Sequence, residues 1–439
     1  MTRSTTLSRR EFIALVSSLI ATTALSIDLV LPALSDIRVA FDVSPESNSA
    51  TWIITVFFLG LALGQPLYGP ITDRFGRRAT LYVGLFIHSA AAIATALAPS
   101  LTFMLVSRFI WGLGSAGIRV TATAMVRDRY EGAEMARAMS FIMSVFMLAP
   151  VLAPTLGAGI LELGSWRWTF AAGALVAGAV GLWALRMPET LDPENRRQLR
   201  FGPVMEAARA VVGTRQTLGY TIAQTFAMGG FLSFLASSEL IFSELYDQRD
   251  RFPQLFGLVA GTMALGTLAN ARLASRVDLA KLIRRALTVF VLFGLLMTGI
   301  AVISDGLPPL WLFVATLLLL VVTQAVLVPN FSALAMAPVG HIAGTASAIT
   351  GTVFMGGGAL LGAVLDRAIS TTVTPLAVGF SAYGGIALAI VLATQRAVDR
   401  PLHRTSGSTS ADRRSVGGVT AGGPTPVGSP RIRRPVSRP

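Results

Sequence analysis

The 439-residue sequence contains no cysteine, and this absence excludes disulfide bonds, thiolate metal sites and a cysteine nucleophile. Histidine is scarce too, and the three that occur are too scattered to form a metal site: His88, His341 and His403. The sequence has no Walker A lysine motif and no GxSxG motif. We therefore expect neither an ATPase nor another recognisable enzyme, and we expect no bound metal.

Charged residues are scarce as well, at 13% of the chain against roughly 25% in a typical soluble domain. Hydrophobic residues make up 53%, and the mean hydropathy is +0.64. This composition indicates a protein of the lipid bilayer. The net charge of +13 would suit nucleic acid, but the arginines lie in loops and tails, with no basic helix or aromatic-interleaved patch. We expect no nucleic-acid partner.

Twelve segments each hold about 20 mostly apolar residues, the length that crosses the hydrocarbon core. They are 12–34, 50–69, 79–98, 102–125, 136–161, 167–186, 216–241, 254–273, 285–303, 309–331, 343–365 and 375–395. The first follows three arginines, Arg3, Arg9 and Arg10, as in a signal peptide, but its apolar run is longer than the apolar core of a usual signal peptide and contains Asp28 and Pro32. We interpret it as a span, so the predicted fold class is an all-α membrane protein with twelve transmembrane helices.

Positive charge alternates with these spans. With twelve spans, one side receives the C-terminal tail and these clusters: Arg9/Arg10, Arg74/Arg77/Arg78, Arg127/Arg129, Arg196/Arg197/Arg200 and Arg272/Arg276/Lys281/Arg284/Arg285. The other side carries mainly acids: Asp36, Asp42, Glu46, Glu162, Glu244, Asp247, Asp250 and Asp305. The exceptions are Arg38, Arg167, Arg249, Arg251 and Arg367, mostly beside an acid. Because short arginine-rich loops stay in the cytoplasm, both termini are predicted to be cytoplasmic.

The longest internal polar stretch, Pro188–Arg215, follows the sixth span and divides the chain into six spans plus six, as in transporters built from two repeated halves. The predicted parts are a cytoplasmic N-terminus, a first half, a cytoplasmic linker, a second half and a basic tail: 1–11, 12–187, 188–215, 216–396 and 397–439. Gly, Ser, Thr, Pro and Arg dominate the tail, which predicts disorder and contact with anionic lipid.

The loop Gly69–Arg78, with the sequence GPITDRFGRR, places three arginines and one aspartate between the second and third spans. Pro70 and Gly76 are expected to stop the helix from running straight through. One interpretation is that these charges only mark the cytoplasmic side, as in most such loops. The other is a functional signature.

Ionisable groups inside a span are costly, and each is therefore a functional hypothesis. Asp28 lies six residues before the outer end of the first span, and Arg108 lies six residues after the outer start of the fourth. At 1.5 Å per residue, both lie roughly 9 Å below the outer face. The two groups either form a structural ion pair or work together in function.

Arg119 follows Arg108 by three helical turns and shares its face, as a substrate-cavity residue or as one that snorkels to the cytoplasmic surface. In the fifth span, Pro150 and Pro154 predict a bend, and Gly157 permits close helix contact. Further polar or flexible candidates for cavity contacts or for bonds between helices are Met143, Met147, Gln224, Gln324 and Asn330. Glu239, near the outer end of the seventh span, is interpreted as a solvated mouth residue.

These motifs together resemble the major facilitator superfamily, and within it the twelve-span drug/proton antiporters of the bicyclomycin and chloramphenicol resistance type. The motifs that carry the resemblance are Gly69–Arg78, Asp28–Leu34, Arg108–Ala116, Pro150–Gly159, Trp166–Phe170, Pro329–Phe331 and His341–Ala346. Arg119 and Glu239 depart from the family pattern and suggest a shifted substrate preference.

The resemblance implies two pseudo-symmetric six-helix halves, a monomer, the bacterial cytoplasmic membrane, and no cofactor beyond the proton as coupling ion. Asp28 and Arg108 would couple the proton. The gating loop would comprise Gly69, Asp73, Arg74, Gly76, Arg77, Arg78, Arg127 and Asp128. Within it, Asp73 is expected to face Arg127 or the start of the eleventh span, and Arg74 or Arg77 to face Asp128, which would hold the cytoplasmic side shut.

The expected function is proton-driven export of small drug-like molecules, such as chloramphenicol- or bicyclomycin-type antibiotics, by alternating access. Three alternatives remain open from the sequence. The chain could export an endogenous metabolite (an amino acid, sugar, nucleoside or self-made antibiotic), it could be a proton-coupled importer, or it could be a membrane receptor without transport activity.

Overall fold

The computed structural model describes residues 7–44, 48–196, 198–199, 202–274 and 276–399. Within these residues every regular element is helical. Residues 397–399 of the tail that was predicted to be disordered continue the last helix instead, and the rest of the tail, from residue 400 onward, lies outside the described residues. Also outside them are Glu46, Arg197 and Arg200 of the charge pattern and the first six residues of the N-terminus.

The helices occupy the positions that the apolar segments predict. In the first half they are α1 (Arg9–Asp28), α2 (Leu34–Ala40), α3 (Trp52–Phe75), α4 (Arg77–Ala96), α5 (Leu101–Arg129), α6 (Gly132–Glu162) and α7 (Arg167–Ala184). In the linker lies α8 (Gly202–Gly213). In the second half follow α9 (Arg215–Glu239), α10 (Phe252–Ala274), α11 (Leu279–Ile303), α12 (Leu310–Met336), α13 (Ala343–Asp366) and α14 (Thr374–Asp399).

Ten stretches of the described chain are long and apolar enough to cross a membrane. The longest, Leu310–Asp366, contains both α12 and α13, and the short apolar helix α7 stands at the place of the sixth predicted span. Twelve helices therefore stand at the twelve predicted positions. The predicted all-α membrane fold is confirmed.

Side chains at the helix starts explain several boundaries. The Ser8 hydroxyl accepts a hydrogen bond from the backbone N–H of Glu11 at the start of α1, and Ser100 does the same for Phe103 of α5. Asp278 caps α11 in the same way through the N–H of Lys281. Each cap satisfies a donor that the first helical turn cannot satisfy itself.

The turn between α3 and α4 corrects one prediction. Helix α3 continues through Pro70 to Phe75, and the chain turns only at Gly76, where φ is +93°. A proline removes a single backbone donor, a loss that a membrane helix can absorb. Glycine is required at position 76 for two reasons. Its positive φ is unfavourable for other residues, and a Cβ there would lie 2.4 Å from Oε2 of Glu189.

The two halves meet where α3 packs on α13 and where α6 packs on α10. On the first of these contacts, the Thr352 hydroxyl donates to the backbone oxygen of Ala62 at 2.7 Å. We name the two ends of the bundle after residues in their loops. The Asp36 end carries the connections after α2, α9 and α13, and the Asp73 end carries the α3–α4 turn.

Candidate functional site

The first membrane helix is broken beside its buried acid. Helix α1 ends at Asp28, a short 3₁₀ turn covers Leu31–Ala33, and α2 continues from Leu34. Proline lacks the N–H that would bond to the carbonyl four residues earlier, and for Pro32 that carbonyl belongs to Asp28. The side chain of Asp28 is only 4% exposed. The sequence thus places a carboxyl group at a helix break inside the bundle.

Helix α6 lies directly against this break. A Cβ on Gly157 would come within 2.3 Å of the backbone oxygen of Leu29 and 3.3 Å of Cγ of Pro32. Only a glycine permits this approach. The double-proline helix, with Pro150 and Pro154 in its interior, is therefore held against the segment that carries Asp28.

Arg108 is fully buried and holds the carboxyl end of α1. Its Nη1 donates to the backbone oxygen of Ser26 at 2.8 Å, and its Nε donates to that of Ile53 at 3.1 Å. Ser26 lies in the last turn of α1, where carbonyls lack intrahelical partners and the helix dipole favours a cation. The guanidinium also lies 4.6 Å from the ring centroid of Phe57 and 5.0 Å from that of Trp111.

The structural ion pair considered for Asp28 and Arg108 does not form in this conformation. Among the described residues, no arginine or lysine nitrogen lies within 4.0 Å of the Asp28 carboxylate. Arg108 instead contacts backbone two residues before Asp28, and its Nη2 has no partner in the described chain. The broken helix supplies carbonyl acceptors that sequence spacing alone did not reveal.

His88 joins this site and was missed by the sequence reasoning, which had weighed histidines only as metal ligands. It is fully buried, and its Nε2 accepts a hydrogen bond from Trp111 Nε1 at 3.0 Å. Its Nδ1 lies 2.9 Å from the hydroxyl of Ser115, which fits the neutral tautomer with the proton on Nδ1. A histidine in the middle of a predicted span was the available signal.

Arg119 and the two methionines of α6 occupy the same half. The side chain of Arg119 is partly buried and makes no hydrogen bond or ion pair within the described part of the chain. Met143 and Met147 are partly buried on α6. Their role as substrate-cavity residues stays a prediction.

The three polar candidates of the second half join helices to one another. Gln224 donates to Ser332 at 3.1 Å, Gln324 to the backbone oxygen of Ala227 at 3.2 Å, and Asn330 to Oδ1 of Asn270 at 2.8 Å. These bonds tie α12 to α9 and to α10. In this conformation the three side chains therefore connect helices.

The gating loop forms an ion cluster within the first half. Arg77 donates from Nε to Oδ2 of Asp128 at 2.9 Å and from Nη1 to Oδ1 of Asp73 at 2.5 Å. The Glu189 carboxylate accepts the backbone N–H groups of Arg77 and Arg78, so it caps the start of α4.

The expected contact between Arg77 and Asp128 is therefore present, whereas Asp73 pairs with Arg77 four residues later. Arg127 approaches the other half, since a Cβ on Gly344 at the start of α13 would lie 3.5 Å from its Nη1. Arg74 is exposed, and no described residue outside its own helix turn lies within 4 Å of the position that a Cβ on Gly69 would take.

The Asp36 end carries a second polar cluster, and here one interpretation was wrong. Glu239, expected to be a solvated mouth residue, is 1% exposed. It is covered because α9 continues as a π-helical turn over Leu240–Leu245 and because Arg38 of α2 packs beside it. Arg38 also pairs with Glu244, and Arg249 pairs with Asp36 at 2.5 Å, so both ion pairs join the two halves.

Comparisons with known proteins agree with this architecture. A family model described as the Major Facilitator Superfamily matches residues 16–363. A bicyclomycin resistance protein homolog of Haemophilus influenzae is 29% identical over 356 residues, which cover 80% of this chain and 87% of that protein. The chloramphenicol resistance protein CraA of Acinetobacter baumannii is 27% identical over 290 residues, covering 64% and 66%.

Solved structures support the fold alone. A D-xylose–proton symporter superposes with a TM-score of 0.71 at 15% identity, covering 87% of this chain and 97% of that one. The human organic anion transporter MFSD10 superposes with a TM-score of 0.63 at 21% identity, covering 89% and 100%.

Proposed function

We propose, since the chain belongs to the Major Facilitator Superfamily, that it exports small drug-like molecules in exchange for protons. Members of this superfamily are membrane transporters, and the superfamily predicted from the motifs is confirmed. Two relatives are named for resistance to bicyclomycin and chloramphenicol, which supports antibiotics of those types as substrates. One observation carries the proposal: Asp28, a buried acid with no described arginine or lysine nitrogen within 4.0 Å, stands at a helix break held by Arg108.

Asp28 is the group that would carry the proton. An ionised carboxylate is costly to bury without a cation, so the conformation described here favours the protonated acid. When Asp28 loses its proton, the negative charge attracts the Arg108 guanidinium away from the Ser26 carbonyl. That exchange of hydrogen-bond partners changes the conformation at the end of α1. Helix α6 moves with it, because Gly157 packs against the same segment.

The proton gradient supplies enough energy for export. One charge that crosses about 150 mV yields about 3.5 kcal/mol, at roughly 2.3 kcal/mol per 100 mV. Since about 1.4 kcal/mol corresponds to a tenfold ratio, one proton sustains a substrate gradient of a few hundredfold. No cofactor or nucleotide is needed. We place the arginine-rich Asp73 end and both termini in the cytoplasm of a bacterial cell.

Drug accumulation tests this proposal. Cells that express the wild type should accumulate less chloramphenicol than cells that express Asp28→Asn, and a protonophore should abolish the difference. Everted membrane vesicles should take up chloramphenicol when their lumen is made acidic. Equal accumulation under all conditions, across a broad panel of compounds, would contradict the proposal.

A further inference from the structure

The Asp36 end contains a second buried acid that the proposed mechanism does not use. Asp366, the last residue of α13, is 2% exposed. Its Oδ1 accepts hydrogen bonds from the hydroxyls of Ser233 at 2.6 Å and Ser237 at 2.9 Å, both on α9. Its Oδ2 is buried without a partner in the described chain. The sequence reasoning missed it because it lies one residue beyond the predicted span 343–365.

In the part of the chain that the structure describes, this carboxyl group has no cationic partner. Within the described residues, no arginine or lysine nitrogen lies within 4.0 Å of it. Arg367, the next residue, lies over the ring of Trp52 instead. The titratable neighbour on α14 is Tyr383, whose hydroxyl donates to the backbone oxygen of Leu361. Glu239 at the end of α9 has Arg38 beside it, which makes Asp366 the unbalanced acid of the two.

A side chain from the other half reaches this acid. Nδ2 of Asn48, just before α3, donates to the Ser237 hydroxyl at 3.0 Å and to the backbone oxygen of Asp366 at 3.1 Å. A chain of hydrogen bonds therefore runs from Asn48 through Ser237 to the Asp366 carboxyl group. If the halves separate at this end, these hydrogen bonds break and water can reach the carboxyl group.

We propose that Asp366 is a proton-binding site that controls this end of the transporter: it is neutral while Asn48 joins the halves and ionises when they separate. The inference rests on the proposed alternating-access function. Because Asp366 lies at the Asp36 end and meets water when that end separates, its proton returns to the same side and is not transported. Low pH on that side then stabilises the closed conformation of this end, and high pH favours the open one.

The absence of native cysteines allows a direct test with spin labels. Leu163→Cys and Ile303→Cys place labels on exposed sites at the Asp36 ends of α6 and α11, one in each half. In the purified, substrate-free protein, the long-distance population should grow as pH rises. Asp366→Asn mimics the neutral acid and should keep the short distance at every pH. Asn48→Ala should shift the midpoint to lower pH by roughly one unit, a tenfold change in the open-to-closed ratio.

The control is Asp28→Asn in the same labelled background. The pH response should persist in Asp28→Asn and disappear when Asp366→Asn is added. A response that disappears with Asp28→Asn and survives Asp366→Asn overturns the inference, as does a wild-type distance that ignores pH. Infrared difference spectra provide a second readout. In the Asp28→Asn background, which removes the contribution of Asp28, the protein should show a protonated carboxyl band that the added Asp366→Asn change removes. The distance measurements use substrate-free protein and do not depend on the drug-accumulation test. If that test fails, the proposed export is wrong, and the distances still decide the role of Asp366.

Discussion

At the scale of single residues, the contacts of Arg108 depend on the planar shape of its guanidinium group as much as on its charge. Its planar fork reaches two backbone carbonyls on different helices while it lies against aromatic rings. A lysine has one compact ammonium and cannot reproduce that fork. We predict that Arg108→Lys lowers the export rate at least about tenfold, because each lost charged hydrogen bond is worth roughly 1.5–3 kcal/mol.

Arg167→Lys is the matched control for Arg108→Lys. Arg167 also donates to a carbonyl, that of Ala98, and lies over a ring, that of Trp166, but it is exposed. Water replaces such contacts, and export should change by about twofold or less. Similar losses in the two variants would contradict the special role of Arg108.

The residue scale also shows what the sequence could and could not predict. Asp28 and Arg108 are identifiable from their position inside apolar spans, since charge there is costly. Their contacts are not identifiable, because the acceptors of Arg108 are backbone carbonyls that a helix break sets free. Glu239 was assigned to solvent because span length does not show which neighbouring element covers a helix end.

At the scale of helices, the apolar segments predicted the positions of twelve helices of the described chain, because a membrane helix must satisfy its backbone hydrogen bonds within itself. The errors lie where helices end. Pro70 was expected to end α3, but the helix runs on to Gly76, whose positive φ turns the chain. Backbone conformation and steric crowding determine where a helix ends, and neither can be inferred from the amino-acid composition.

The contact between α6 and the broken first helix yields a paired prediction. In Gly157→Ala, the new Cβ would lie 2.3 Å from the Leu29 oxygen, so the helices must separate. We expect a destabilisation of about 1–3 kcal/mol, measured as a lower melting temperature in detergent, together with impaired export. Gly159→Ala on the same helix meets no atom within 4 Å and should leave both unchanged. Equal effects in the two variants would exclude close packing as the reason for the glycine.

The turn between α3 and α4 yields a second pair. Gly76→Ala combines a positive φ with a clash against the Glu189 carboxylate that caps α4. The cost should be about 1–3 kcal/mol, seen again in the melting temperature. Gly69→Ala, inside α3 with open space around it, should be neutral or slightly stabilising, since alanine favours a helix. A stable Gly76→Ala protein would show that the turn adapts.

At the scale of the whole molecule, transport by alternating access requires the halves to separate at one end and then at the other. At the Asp36 end the halves are joined here by the ion pairs Arg38–Glu244 and Arg249–Asp36 and by the hydrogen bonds of Asn48. The ion cluster at the Asp73 end lies within the first half, with Arg127 approaching α13. The conformation described here is thus joined across the halves at the Asp36 end.

Covalent joining of that end should therefore stop the transport cycle. In the cysteine-free chain, Asp36→Cys with Arg249→Cys can be bridged by a short bifunctional maleimide. We predict that the bridge abolishes chloramphenicol export, measured in vesicles, because the halves can no longer separate there. Arg9→Cys with Glu134→Cys forms the matched control, since that pair is also an exposed salt bridge but lies within the first half, between α1 and α6. Its bridge should leave export intact. If export continues through the bridge between positions 36 and 249, the separation of the halves at the Asp36 end is not a step of the cycle.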